Sequence, residues 1–292
     1  MAEHTPRLAI IGCGFMGSAI LQGLLQHDAT DEPSNKLQYT AHVHSSASME
    51  LLKQTFSAHS SAITFTHGDS QLTEAVSSAD IVLLGFVPGD LDTVLSTDNF
   101  ASHLRGKIII SMLAGISTSQ LLAKLVSATP GSRQDQFDIA RTIPTLGAKI
   151  GESVTLIAET PTPSAAIPTV AAVFKRIGSV HHVPEKSMDT ATAINAAVHA
   201  LAIVAVDSAV DASVADGMPR AAALALTAQC LQSCSALMTT NKGGMTPESV
   251  KSAMSTPAGI TLNSIVHLDA HVRPGIASTV RNAVKYTKSM ND

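Results

Sequence analysis

The chain has 292 residues, a formal net charge of −4, and is 45% hydrophobic and 14% charged. That length leaves room for two domains and a substantial core, and the acidic balance offers no basic patch for nucleic acid. Three cysteines suit a reducing compartment and exclude a disulfide framework.

The opening, Met1 to Arg7, carries charge and lacks the longer apolar stretch of a signal peptide, so a cytoplasmic protein is expected. Leu8-Ala9-Ile10-Ile11 is an apolar run of strand length. It leads into Gly12-Cys13-Gly14-Phe15-Met16-Gly17 and then a helix-like stretch from Ser18 to Leu25. Strand, G-x-G-x-x-G and helix, in that order, form a dinucleotide-binding signature. Gly12 permits the tight turn, Gly14 lets the backbone approach a pyrophosphate, and Gly17 lets the helix pack closely on the strand. Phe15 and Met16 open the helix, whose free N–H groups and partial positive charge suit phosphate.

Short β-branched runs then alternate with helical patterns. Strands are predicted at residues 37–43, 63–65, 81–85, 107–111, 138–142, 155–158 and 179–183, the last after a helix over 165–177. The alternation predicts an α/β domain, a parallel sheet with crossover helices of Rossmann type, over residues 1–183. Residues 28–36 are polar, include Pro33, and read as a surface insertion.

The second strand continues into His44-Ser45-Ser46, where an NAD site normally places Asp or Glu. An acid there would repel a 2′-phosphate, whereas an imidazole and hydroxyls can hydrogen-bond it. NADPH is therefore expected, with NADH as the alternative because no Arg or Lys stands there. Val87 and Pro88 after the fourth strand, and Ala114 after the fifth, fall on the carboxyl edge of the sheet and are further nucleotide contacts.

Residues 184–292 change character to an all-helical domain. The run 196–206 is apolar but contains His199 and is too short to span a bilayer. Gly217 fits a C-terminal helix cap and Pro219 a first helical turn; later helices open at Thr246-Pro247-Glu248, Thr261 and Gly275. So few charges on helices this apolar predict a large subunit interface, a homodimer from which higher assemblies can be built, and no membrane partner. The 12 histidines and three cysteines form neither H-E-x-x-H nor C-x-x-C, so no metal site is predicted. His42/His44 and His181/His182 read as partly exposed strand residues, and Cys230 and Cys234 as small buried ones.

Taken together, these segments resemble the Δ1-pyrroline-5-carboxylate reductase family over nearly the whole chain. The family's opening is matched by residues 10–20. Its "V-K-P" turn is echoed by Phe86-Val87-Pro88, its "S-x-x-A-G" by Ser111 to Gly115, and its "R-x-M-P-N" by Arg141-Thr142-Ile143-Pro144-Thr145. Asp216-Gly217-Met218-Pro219-Arg220 follows Asp207 as in the family's "G-x-P-R" element, and "S-P-G-G-x-T" is echoed by Thr256-Pro257-Ala258-Gly259-Ile260-Thr261. The resemblance implies NAD(P)H-dependent reduction of a cyclic imine, with Δ1-pyrroline-5-carboxylate becoming proline.

On that footing Pro257, Ala258, Gly259 and Ile260 would hold a substrate carboxylate, and Thr261 would donate a hydrogen bond to the imine nitrogen. The other reading of Thr261 is that it begins the last helices. Where the family has "S-G-S-G-P-A-Y", this chain has Asn195-Ala196-Ala197-Val198-His199-Ala200-Leu201. Asn195 is a candidate substrate contact, and His199 is either a new pocket acid or donor or a hydrogen-bonded helix residue. The asparagine of "P-N-T-P" has become Thr145, and one signature glycine has become Ala258. These departures also admit a different cyclic imine, or a non-catalytic nucleotide-binding relative. The first long helix lacks the lysine of β-hydroxyacid dehydrogenases, and no G-x-S-x-G supports hydrolysis.

Overall fold

The structure is a computed structural model describing residues 5–32, 36–97, 99–161, 164–239 and 243–289. The chain forms two compact units, Met1–Thr192 with Thr287–Asp292, and Ala193–Tyr286.

The first unit opens with β1 (Arg7–Ile11), α1 (Phe15–Thr30), β2 (Gln38–Val43), α2 (Ser46–Thr55), β3 (Ile63–His67) and α3 (Asp69–Ser77). It continues through β4 (Ile81–Leu84), α4 (Leu91–Ser96), α5 (Phe100–His103), β5 (Ile108–Ser111) and α6 (Thr118–Ala128). It closes with β6 (Asp138–Ile143), β7 (Ser153–Glu159), α7 (Ile167–Lys175) and β8 (Gly178–Pro184). The strands form one sheet in the order β3-β2-β1-β4-β5-β6-β7-β8.

The central strands are apolar at every position because both faces of the sheet are covered. Successive side chains of a strand point to opposite faces. Leu8, Ile10, Ile81 and Leu83 accordingly enter the core layer that includes Leu21, Leu24 and Phe174. Ala9, Ile11, Val82 and Leu84 enter the other, with Leu72, Phe100 and Leu121.

The sheet departs from the parallel expectation at one junction: β6 and β7 are antiparallel. Between them lie only a 3-10 turn, Leu146–Ile150, and Gly151 at φ 77°. That is too short for a crossover, so the chain reverses direction.

Asp28 does not belong to a surface insertion. It lies in the last turns of α1 and is buried, accepting from the Tyr39 hydroxyl at 2.6 Å and pairing with Arg176 at 3.1 Å. Residues 33–35 of that stretch lie outside the described residues.

α8 (Met188–Ala215) runs from the first unit into the second, where α9 (Arg220–Met238), α10 (Pro247–Met254) and α11 (Ile260–His271) follow, then α12 (Arg273–Ser289). Gly217, at φ 94°, ends α8 as expected. Pro219 is the residue before the first turn of α9 rather than within it, and α12 begins two residues before Gly275. The full helices exceed the apolar run read from the sequence: residues 185–215 and Arg220–Met238 are long and apolar enough, by length and composition, to cross a membrane. Cys230 and Cys234, expected to be buried, are exposed on α9, as are Leu224, Leu226 and Leu231. Among the described residues no three metal-ligating side chains cluster.

Candidate functional site

The glycine loop stands where β1 ends between β2 and β4, the switch point at which open α/β sheets bind ligands. Gly12 has φ 83°, and a Cβ there would overlap the Phe86 backbone nitrogen and lie 2.6 Å from its Cα. Only glycine fits. The Gly12 and Cys13 N–H groups both donate to the His42 carbonyl, at 3.0 and 2.9 Å, and the Gly85 N–H donates to that of Ile11 at 2.8 Å. Three strand ends thus fix one turn. Gly17 packs against β1, where a Cβ would lie 3.0 Å from Ile10 Cγ2.

Gly14 is the opposite case, with nothing within 4 Å of an added Cβ. It precedes α1, a helix of 16 residues with no side-chain cap and no acid in its first turn. The N–H groups of Phe15, Met16 and Gly17 are therefore left for an anion. Phe15 stands beside them, 74% exposed. This uncapped, open cradle fits a pyrophosphate. Cys13 is a bystander, since burial pushes its thiol up to about 12.

Beside Gly12 a cavity of about 370 Å³ is lined by His42, His44, Asp69, Phe86 and Asp90 among others. His44, Ser45 and Ser46 are exposed at the end of β2, and Ser45 Oγ caps α2 by accepting from the Ser48 N–H at 3.2 Å. His42 is buried rather than partly exposed, because β3 lies outside β2 and its Thr66 hydroxyl meets His42 Nδ1 at 3.0 Å. Burial lowers its pKa to about 4, outweighing the opposing pull of Asp69, so the ring is neutral at pH 7. Val87, Pro88 and the half-buried Ala114 lie past the ends of β4 and β5, on the same edge of the sheet as Gly12.

The remaining predicted residues lie in the second unit. Asn195 and His199 bond to each other along α8, with His199 Nδ1 donating to the Asn195 carbonyl at 2.6 Å. His199 is thus an exposed, hydrogen-bonded helix residue. Asn195 Nδ2 is buried with no partner among the described residues.

The loop from Thr256 to Gly259 turns sharply, the Gly259 N–H donating to the Thr256 carbonyl at 2.9 Å. A Cβ on Gly259 would lie 2.8 Å from that carbonyl oxygen. Ala258 adopts φ 59°, a left-handed backbone normally left to glycine, in place of the signature glycine. α11 then starts with no side-chain cap on Gly259 and no acid in its first turn, which leaves the Ile260 and Thr261 N–H groups for an anion. Ile260 is 87% exposed beside them.

Arg141, His42 and Asp69 were not singled out by the motifs as site residues. Arg141 is buried at the carboxyl end of β6 and bonds Glu185 at 3.4 Å and Asp189 at 3.2 Å, tying the sheet to the start of α8. Glu185 also accepts from the Thr118 N–H at 2.8 Å. A cation inside a strand is the signal that could have marked it, since charged residues are rarely buried unpaired. Thr145, where the family has asparagine, is buried and occupied, accepting from the Val154 N–H at 3.0 Å.

Residues 185–290 match the family of pyrroline-5-carboxylate reductase dimerisation domains, and residues 7–115 match that of coenzyme F420-dependent NADP oxidoreductases. A pyrroline-5-carboxylate reductase from Lophium arboricola is 32% identical over 295 residues, covering 95% of this chain and 90% of its own. The chain belongs to the pyrroline-5-carboxylate reductase family. A 1-pyrroline-5-carboxylate reductase from Streptococcus pyogenes superposes with a TM-score of 0.76 at 26% identity, over 97% of this chain and 98% of that one. The Plasmodium falciparum pyrroline carboxylate reductase, solved with NADP bound, gives 0.78 at 21% identity, over 99% of each chain. The family's Rossmann-type domain and helical dimerisation domain are both present.

Proposed function

We propose that the protein reduces Δ1-pyrroline-5-carboxylate to proline with NADPH, as the names of its relatives indicate. The observation that carries the reading is the uncapped, open N-terminus of α1 behind a glycine turn fixed by three strand ends. In this reading residues 1–183 bind the dinucleotide and residues 184–292 bind substrate and dimerise. NADPH supplies hydride when bound. The Phe15, Met16 and Gly17 N–H groups hold its pyrophosphate, with Gly14 giving it room to approach; Val87, Pro88 and Ala114 border the crevice, and His44, Ser45 and Ser46 face the adenosine ribose.

Reducing an imine asks the chain mainly to orient it, within about 3–3.5 Å of the hydride donor. The turn Pro257 to Ile260 offers backbone N–H groups to the substrate carboxylate, at the positive end of α11. Thr261 donates to the imine nitrogen and draws electrons from the reacting carbon. Asn195 and His199, one turn apart on α8, are the substrate contacts of that helix.

The apolar faces of α8 and α9 are read as a homodimer interface. Asp207 and Arg220 line an apolar groove of about 460 Å³ between these helices, and ionisable groups in such places are costly in lipid. A second copy of the chain is the better cover. The exposed thiols of Cys230 and Cys234 fit a reducing, cytoplasmic setting.

A second reading, a different cyclic imine, is favoured by one observation: the Ala258 methyl stands in the turn that would hold the carboxylate. Steady-state NADPH oxidation with pyrroline-5-carboxylate, 1-pyrroline and a six-membered imine decides. Highest kcat/KM with pyrroline-5-carboxylate supports the first reading, and highest with another imine the second. Tight NADPH binding with no turnover of any imine would leave a non-catalytic relative.

A further inference from the structure

The end of β2 carries no carboxylate, but β3 brings one to it. In the parallel register Val43 lies opposite His67, and the Gly68 N–H donates to the Val43 carbonyl at 3.1 Å. Asp69 follows His67 by two residues, just past the end of that paired stretch. Gly68, at φ 72°, turns the chain into α3 at this point, close enough that a Cβ on it would lie 3.9 Å from the His44 carbonyl oxygen. Asp69 is exposed in the first turn of α3 and lines the same cavity as Gly12, His42 and His44.

The chain therefore presents two kinds of group to the adenosine ribose. From β2 come an imidazole and two hydroxyls, which can hydrogen-bond a 2′-phosphate. From β3 comes a carboxylate, which accepts from ribose hydroxyls and opposes a second anion. His42, neutral in its buried setting, adds no positive charge to offset it.

Resting on the dinucleotide reading above, we propose that Asp69 is a cofactor-selectivity residue of this chain. Its carboxylate takes the place of the acid missing from β2. It accepts from the ribose hydroxyls of NADH and holds down the preference for NADPH.

Calorimetry with 2′,5′-ADP and 5′-AMP isolates this end of the nucleotide and needs no turnover. In Asp69→Asn the affinity ratio of 2′,5′-ADP to 5′-AMP should rise about fivefold at low salt, and the rise should shrink as salt screens the exposed charge. Asp69→Ser, which suits a helix start, should shift it the same way. A ratio unchanged within about twofold in both variants, with binding retained, would overturn the role of Asp69 and leave the dinucleotide reading intact. Equal weakening of both ligands would also overturn it, marking the residue as structural. If the unaltered protein binds neither ligand, the dinucleotide reading falls and this proposal with it.

Discussion

Gly12 and Gly14 are two residues apart, and the structure gives their replacement by alanine opposite consequences. At Gly12 the new methyl meets the backbone of Phe86, which cannot move without β4, and the φ of 83° is itself unfavourable for alanine. The left-handed backbone costs about 1–2 kcal/mol and the overlap about 1–3 kcal/mol. Together they lower the melting temperature by roughly 4–20 °C at about 2–4 °C per kcal/mol. At Gly14 no atom lies within 4 Å of the new methyl; φ is −81°, and a ψ of −142° just outside the β region costs about 1 kcal/mol. Gly14→Ala should therefore melt within about 4 °C of the unaltered protein. Its methyl would occupy the space through which a pyrophosphate reaches the α1 N–H groups. Losing one such charge-assisted bond, at about 1.5–3 kcal/mol, weakens NADPH about 10- to 100-fold. Melting curves without ligand and NADPH calorimetry on both variants, at fixed protein concentration, check both halves. A Gly14→Ala protein with unaltered NADPH affinity, or a Gly12→Ala protein with unaltered melting, would refute the geometry of the cradle.

Thr261→Ala should lower kcat and kcat/KM together, about 10- to 100-fold, while NADPH affinity stays unchanged, because the bond to the imine nitrogen matters most in the transition state. Thr261→Ser should keep most activity; unchanged turnover in the alanine variant would remove the threonine from the mechanism. Ala258→Gly should raise the melting temperature slightly, by relief of about 0.5–1 kcal/mol of left-handed strain, the reverse of the usual effect of glycine. A drop in melting temperature would show the turn to be unstrained. His42 has a folded pKa of about 4, below the usual 6.5 of histidine, so the unfolded chain takes up a proton that the folded one refuses. Stability is thus lost as pH falls from about 6.5 to 4, by no more than about 3 kcal/mol, and is fully present above that window. His42→Asn should flatten that part of a denaturation-versus-pH profile, and an unchanged slope would contradict the assignment.

Much of the first unit could be read directly from residue types. β1, β4 and β5 are continuous apolar runs because both sides are covered, and Gly12 declares a backbone angle that no other residue adopts comfortably. The β6–β7 reversal was hidden, since a strand pattern carries no direction and only the short turn at Gly151 fixes it. His42 and Asp28 were misread for a common reason: each is a polar residue whose partner is distant in sequence, Thr66 in one case and Arg176 in the other. Asp69 escaped notice because an acid starting a helix is ordinary, and its place in the cavity with His42 and His44 comes only from the pairing of β3 with β2. In the second unit, helix existence was legible from composition. The roles of Thr261 and the turn before it came through family resemblance, because a short loop signals no chemistry of its own.

The way α1 is secured has a consequence for biosynthesis. The partners that shape the turn at its start, His42, Gly85 and Phe86, all lie within the first third of the chain. Its outer side is different. Gly23 packs so closely on the Ala148 carbonyl that a Cβ would overlap it and sit 2.9 Å from Ile177, and Asp28 waits for Arg176. A chain emerging from the ribosome N-terminus first can therefore shape its phosphate-binding turn early. Until residues 146–177 have been translated, Asp28, held only by the early Tyr39 and Leu37, lacks its Arg176 partner, and the Gly23 face of the helix is bare. The first helix to be made thus completes its packing only when the last part of the sheet unit follows, so truncation before residue 177 should leave its outer face open.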